Sequence, residues 1–237
     1  MELSPLAEAL ARLEANPLPV AHRFDTQEPL AGPIAFLPAA FNPPTIAHLR
    51  LLERAAAAAA AAPAALLTTR NVDKSITGAP LPARVEMLLA ARRDGHNVAV
   101  LAANAARIID QVAALERTYP AAQPTPIVGF DTLVRLFDPR YYTDIAADLD
   151  TFFERHRVIA ANRGPHAIQA VAEWLHHNAR EYASRIILVE LEADLAAISS
   201  TQARQRAAAG FPPEHVPPSV RAILAERRYY TAERPPT

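Results

Sequence analysis

The chain of 237 residues contains no cysteine. This excludes a disulfide scaffold, a thiolate metal site and a cysteine nucleophile, while saying little about redox compartment. Lysine is nearly absent too: Lys74 is the only one, and the remaining positive charge is arginine. Arginine suits bidentate recognition of phosphate, but in so alanine-rich a chain its excess reads as compositional bias. A formal net charge of -1 and a pI near 6.7 provide no basic field for nucleic acid. No apolar run can cross a bilayer, because the longest, residues 55–67, is alanine-rich and interrupted by Pro63. Met1 to Pro5 lack the basic-then-apolar pattern of a secretory leader. The expectation is a soluble cytoplasmic protein with neither membrane nor nucleic-acid partner. Oligomeric state is not legible, and a homo-oligomer stays open.

Against those absences stand short β-prone runs alternating with helical ones. Leu3, Leu6, Ala7, Leu10 and Leu13 recur at helical spacing, predicting a leading helix within residues 1–15, after which 16–32 read as an extended lead-in. Strands are expected at 34–37, 65–69, 98–101, 126–129, 157–160 and 185–189. A helix is expected from Thr45 through eight consecutive alanines to Pro63, alanine being the best helix former. Further helices are expected at 83–93, 105–119 and 167–182. This alternation predicts an α/β fold: a Rossmann-like, three-layer αβα arrangement around a central parallel sheet. No composition shift marks a second domain, so residues 1–237 are read as one, closed by capping helices over about 198–230. Such sheets place their ligand beyond the carboxyl ends of the strands, where every distinctive motif of this chain falls.

The most informative stretch is Ile34 to His48, in which an apolar strand runs into the turn Ala39-Ala40-Phe41-Asn42-Pro43-Pro44-Thr45. Thr45 and His48 stand three positions apart at a helix start and so share one face. The first helical turn presents unpaired N–H groups and the positive dipole end, a ready grip for phosphate. A second such segment, Ile198-Ser199-Ser200-Thr201-Gln202-Ala203-Arg204, offers three hydroxyls and an arginine one turn later. One hydroxyl there would be accounted for by N-capping alone.

Phe41-Asn42-Pro43-Pro44-Thr45-x-x-His48 resembles the nucleotidyltransferase signature of the cytidylyltransferase-like superfamily. The Ile-Ser-Ser-Thr-x-x-Arg run at 198–204 resembles a motif of its nicotinamide/nicotinate mononucleotide adenylyltransferases. Together the likeness extends over roughly residues 33–230. It implies transfer of AMP from ATP to a mononucleotide, with release of pyrophosphate and Mg²⁺ carried in on ATP. By the same resemblance His48, Thr45 and Arg204 are the catalytic candidates: His48 on the triphosphate, Thr45 supplying a hydroxyl, Arg204 neutralising the leaving pyrophosphate. Phe41, Asn42, Ser199, Ser200 and Thr201 are expected on the ATP side. Gly129-x-Asp131 would contact the adenosine, and Arg163, in Asn162-Arg163-Gly164, would lie near the adenine. Lys74, in the polar loop Asn71-Val72-Asp73-Lys74, and Arg84 would contact the acceptor. No dedicated metal cage is expected.

Two departures from the family pattern stand out. Ala39-Ala40 and Ala47 occupy positions where relatives carry glycine, and alanine allows close backbone approach only at negative φ. A tighter pocket is the expected consequence. Open alternatives are another phosphorylated acceptor (phosphopantetheine, or an alcohol phosphate with CTP) and a catalytically silent nucleotide-binding relative.

Overall fold

A computed structural model describes residues 4–70, 78–162 and 166–230. In chain order its elements are α1 (Pro5–Ala15), β1 (Ala21–Arg23), β2 (Gly32–Ala39), α2 (Ile46–Ala58), β3 (Ala62–Thr68), α3 (Leu81–Arg93), β4 (Ala99–Ala103), α4 (Ile108–Thr118) and β5 (Ala122–Gly129). They continue with α5 (Phe130–Leu136), α6 (Ile145–Arg155), β6 (Val158–Ala161), α7 (Ile168–Asn178), β7 (Ile186–Val189), α8 (Ala193–Ala196), α9 (Ser200–Ala208) and α10 (Pro218–Arg227). The seven strands form one sheet in the order β1-β4-β3-β2-β5-β6-β7. β2 to β7 run parallel, and β1 joins β4 antiparallel at one edge.

Alternation along the central strands explains the layering, since successive side chains point to opposite faces of a sheet. Ile34 and Phe36 enter one core, together with Leu66, Leu101 and Val128 and with side chains of α4, α6 and α7. Ala35 and Leu37 enter the other, with Leu67, Val100 and Ile127 beneath α1, α2, α3 and α10. Strands covered on both faces read as continuous apolar runs, and the burial of 34–37 at both phases is the direct sign. The expected αβα sandwich is present.

Three local readings change. The 16–32 lead-in contains β1, whose register pairs Ala21 with Ala103 and Arg23 with Leu101. Three residues carry too little pattern to announce a strand. Buried Asn104 holds this one from outside, its Oδ1 accepting the Val20 N–H at 2.7 Å and its Nδ2 donating to the carbonyls of Asn16 and Leu18. The polyalanine helix stops at Ala58, with Ala60 left-handed (φ 49°), and Ala62 already starts β3. Pro63 is therefore a strand residue, tolerated because pairing with β4 begins only at Ala64. Helix α6 was not expected at all.

Strand order places the site. From β2 the chain steps outward one way through β3 and β4, then returns to the other side of β2 for β5, β6 and β7. The reversal between β2 and β5 is a topological switch point, where a crevice opens beyond the strand ends.

Candidate active site

The turn leaving β2 delivers both alanines into that crevice without positive φ. The left-handed residue is Phe41 (φ 43°), an uncommon and strained conformation for a side chain of this size. Phe41 is buried, and its ring lies 5.1 Å from that of His48. The turn thus bends one residue beyond Ala39-Ala40, and glycine is not required at either.

Thr45 caps α2 and His48 occupies its first turn, both fully buried. The Thr45 backbone N–H donates to His48 Nδ1 at 3.1 Å, and Thr45 Oγ1 lies 2.7 Å from the same nitrogen. Because Nδ1 accepts, the ring proton resides on Nε2, so the imidazole presents an N–H donor on its far side. Ala47 is buried within the same helical turn.

The segment after β7 closes on this turn. Ser199 caps α9 reciprocally with Gln202: Ser199 Oγ accepts the Gln202 N–H and Gln202 Oε1 accepts the Ser199 N–H. Ser200 Oγ donates to the Pro43 carbonyl at 2.8 Å. Arg204 donates through Nη1 to the Asn42 carbonyl at 2.7 Å and through Nη2 to Thr201 Oγ1 at 3.1 Å. The N-termini of α2 and α9, far apart in sequence, therefore share one turn. Two helix N-termini, two hydroxyls and a guanidinium at one place are equipped to hold a polyanion.

The adjoining cavity, about 310 Å³, is lined by Leu37 and Pro38 of β2, by Gly129, Asp131 and Arg135, and by Ile198 and Ser199. Gly129 is the N-cap of α5 with φ -80°, an ordinary conformation, and Asp131 sits exposed in the first helical turn instead of capping it. Lys74 and Arg163, together with 71–73 and Gly164, lie outside the described residues. Asn162, beside them, is buried and pairs through its side chain with both backbone groups of Leu191.

Arg84 is 3% exposed and donates to the carbonyls of Ala79 (2.7 Å) and Ala40 (3.2 Å). Burial, with Arg204 nearby, lowers its pKa from the ordinary arginine value, a shift that neighbouring Tyr230 partly opposes. The structure thus sets Arg84 against the β2–α2 turn. Tyr230 had no signal in the sequence. Its hydroxyl donates to Asn42 Oδ1 at 2.5 Å, an oxygen that also accepts the Ala79 N–H at 3.2 Å. Gly78 packs so closely on this side chain that an added Cβ would lie 2.5 Å from Asn42 Nδ2. Arg206, by contrast, pairs with Glu214 at the surface, and Trp174 packs against Phe130 and Phe137.

Fold and site together define a doubly wound α/β protein in which two helix N-termini meet one turn at the switch point. The chain belongs to the cytidylyltransferase-like family, which matches residues 36–206. It is 26% identical over 193 residues to a Schizosaccharomyces pombe protein named as a nicotinamide mononucleotide adenylyltransferase, an alignment covering 75% of this chain and 77% of that protein. It is 29% identical over 123 residues to a Symbiobacterium thermophilum protein named as a nicotinate-nucleotide adenylyltransferase (52% and 55% covered). In fold it is similar to Plasmodium falciparum nicotinic acid mononucleotide adenylyltransferase complexed with NaAD, with TM-score 0.62 at 14% identity over 84% of this chain and 97% of that one. The same enzyme complexed with APC gives 0.58 at 12% identity, covering 84% and 96%. Among the described residues no helix is long and apolar enough to cross a membrane.

Proposed function

We propose that this protein is an adenylyltransferase that transfers AMP from ATP to nicotinamide or nicotinate mononucleotide, forming a dinucleotide and releasing pyrophosphate. A phosphate oxygen of the mononucleotide attacks the α-phosphorus of ATP. A new P–O bond forms as the bond to the β-phosphate's bridging oxygen breaks, and pyrophosphate carries the electrons away. Such a reaction asks the protein chiefly to align two anions and stabilise developing charge. The observation that carries the proposal is the joining of Ser200 and Arg204 to the Asn42–Pro43 turn, which brings both phosphate-type motifs to one crevice.

In this reading His48 donates from Nε2 to the triphosphate, the α9 N-terminus with Ser200 and Thr201 receives its distal phosphates, and Arg204 offsets charge on the leaving group. The crevice between β2 and β5 takes the adenosine, with Asp131 at its rim. Magnesium fits a site holding a triphosphate and the hard carboxylate oxygen of Asp131. Once bound it would neutralise phosphate charge. Arg84 supports the turn through the Ala40 carbonyl. The decisive experiment incubates the protein with ATP-Mg²⁺ and a panel of phosphorylated acceptors, including phosphopantetheine, and measures pyrophosphate. Release with the pyridine mononucleotides is expected. No release with any of them would refute the assignment.

A further inference from the structure

A second cavity, about 170 Å³, lies beyond the carboxyl ends of β2 and β3. It shares Pro38, Thr132 and Arg135 with the crevice at the switch point, so the two adjoin over the end of β2. Its remaining wall includes Ala40, Arg107, Gln111 and Tyr142. In the adenylyltransferase reading, with ATP in the adjoining crevice, this is where the acceptor would reach the α-phosphate.

Gln111 sets the chemistry of that wall. It is 2% exposed, and its Nε2 donates to the carbonyls of Ala105 (3.3 Å) and Ala106 (3.2 Å). Those two acceptors define the amide's orientation, since reversing it would set oxygen against oxygen. Its Oε1 has no hydrogen-bond partner, one of only two such buried side-chain atoms among the described residues. Buried acceptors in native proteins are nearly always satisfied, so an orphan oxygen on a side chain that lines a cavity calls for a donor from elsewhere. Neighbouring side chains do not supply one. Arg107 donates from Nε and Nη2 to Asp110 and from Nη1 to the Tyr141 carbonyl, and the Tyr142 hydroxyl donates to the Leu136 carbonyl.

Resting on the adenylyltransferase reading above, we infer that Gln111 determines acceptor specificity, its Oε1 accepting an N–H of a pyridine carboxamide and disfavouring the corresponding carboxylate. A carboxamide brings two donors, whereas an ionised carboxylate brings only acceptors and would set its charge against the Gln111 lone pairs. Arg107, the arginine beside Gln111 on this wall, does not select the carboxylate. Asp110 compensates Arg107, and both candidate acceptors carry a phosphate that attracts cations equally. Sites built around a hydrogen bond reject analogues that cannot make it far better than apolar sites reject a missing methylene.

The test compares nicotinamide mononucleotide with nicotinate mononucleotide on the full chain, by pyrophosphate release with ATP-Mg²⁺ and separately by calorimetric titration of each without ATP. The inference expects kcat/KM and affinity at least about tenfold higher for the nicotinamide form, with Gln111→Met reducing that ratio to about two or less. Equal values for the unmodified protein, or preference for the nicotinate form, overturn it whether or not the variant folds. A retained tenfold binding preference without any pyrophosphate release would refute the proposed reaction and leave the role of Gln111 standing.

Discussion

Arg204 Nη1 lies 2.7 Å from the carbonyl oxygen of Asn42, across 162 positions of sequence. This bond and the Ser200–Pro43 bond beside it join the two ends of the crevice. Arg204→Ala should therefore lower kcat/KM by about 10²- to 10³-fold, the scale for loss of one preorganised donor to developing charge. Arg204→Lys should restore little, because an ammonium cannot serve two acceptors in the planar fork of a guanidinium. Arg204 is only half-buried, so urea unfolding should shift little in either variant.

His48→Ala should reduce kcat by about 100-fold or more while the KM for ATP changes only a few-fold, the pattern of a contact made chiefly in the transition state. It also removes the acceptor of the Thr45 N–H, a capping loss of about 1 kcal/mol. Steady-state kinetics together with urea unfolding separate the two effects.

Tyr230→Phe deletes one hydroxyl and with it the hydrogen bond to Asn42 Oδ1, which keeps the Ala79 N–H. A stability loss of about 1 kcal/mol is expected. Burial pushes the Tyr230 hydroxyl up to about 12 against the opposing influence of Arg84 and Arg204, and burial likewise raises Tyr142 to about 12. A group whose pKa is raised on folding contributes stability in full below its unfolded value, here 10.0, and loses it as pH climbs through the folded one. The protein should accordingly weaken between about pH 10 and 12, and Tyr230→Phe should weaken less over that interval. Chemical denaturation across alkaline pH measures both.

Asp25 governs the acid side. Its carboxylate is fully enclosed, bridged by Arg23 Nε and Nη2 at 3.1 and 3.0 Å, with Arg92 at 3.4 Å and the Val100 N–H at 2.8 Å. Burial alone would raise its pKa, but the hydrogen bonds from Arg23 and Val100 and the charges of Arg23 and Arg92 hold it below the usual 3.8. A lowered carboxylate stabilises the fold above its unfolded pKa and ceases to do so as pH falls through the folded one. Stability should decline below about pH 4. Asp25→Asn should cost about 1–3 kcal/mol at pH 7 and flatten that decline. Urea midpoints between pH 2 and 7 would reveal it.

The crevice was legible at the level of its motifs because its chemistry is local. Thr45 and His48 meet through one helical turn, and Ser199 caps α9 through Gln202 three residues on. Arg84 is expected from the sequence to contact the acceptor, and in the fold its donors lie on the Ala79 and Ala40 carbonyls, a direction that only packing decides. Lys74 and Arg163 lie outside the described residues. Tyr230 could not be found by any spacing rule, because 188 positions separate it from Asn42. Nor could Gln111, an ordinary helix residue whose orphan oxygen depends on how α4 is laid over β4.

By itself the sequence determined the αβα layers and the six parallel strands, because apolar runs and helical periods are properties of neighbouring residues. It also carried the family, since the Phe41–His48 and Ile198–Arg204 segments are each contiguous. Tertiary structure decided what neighbours in sequence cannot. It added the antiparallel strand β1, held by Asn104, just after β4, and by Asp25, just after β1, which ties Arg23 to the Val100 N–H, and ended the polyalanine helix at Ala58 so that Pro63 could enter the sheet. Above all, it brought the N-termini of α2 and α9 onto one turn. That step follows from strand order, because reversal between β2 and β5 opens the crevice that α9 returns to close.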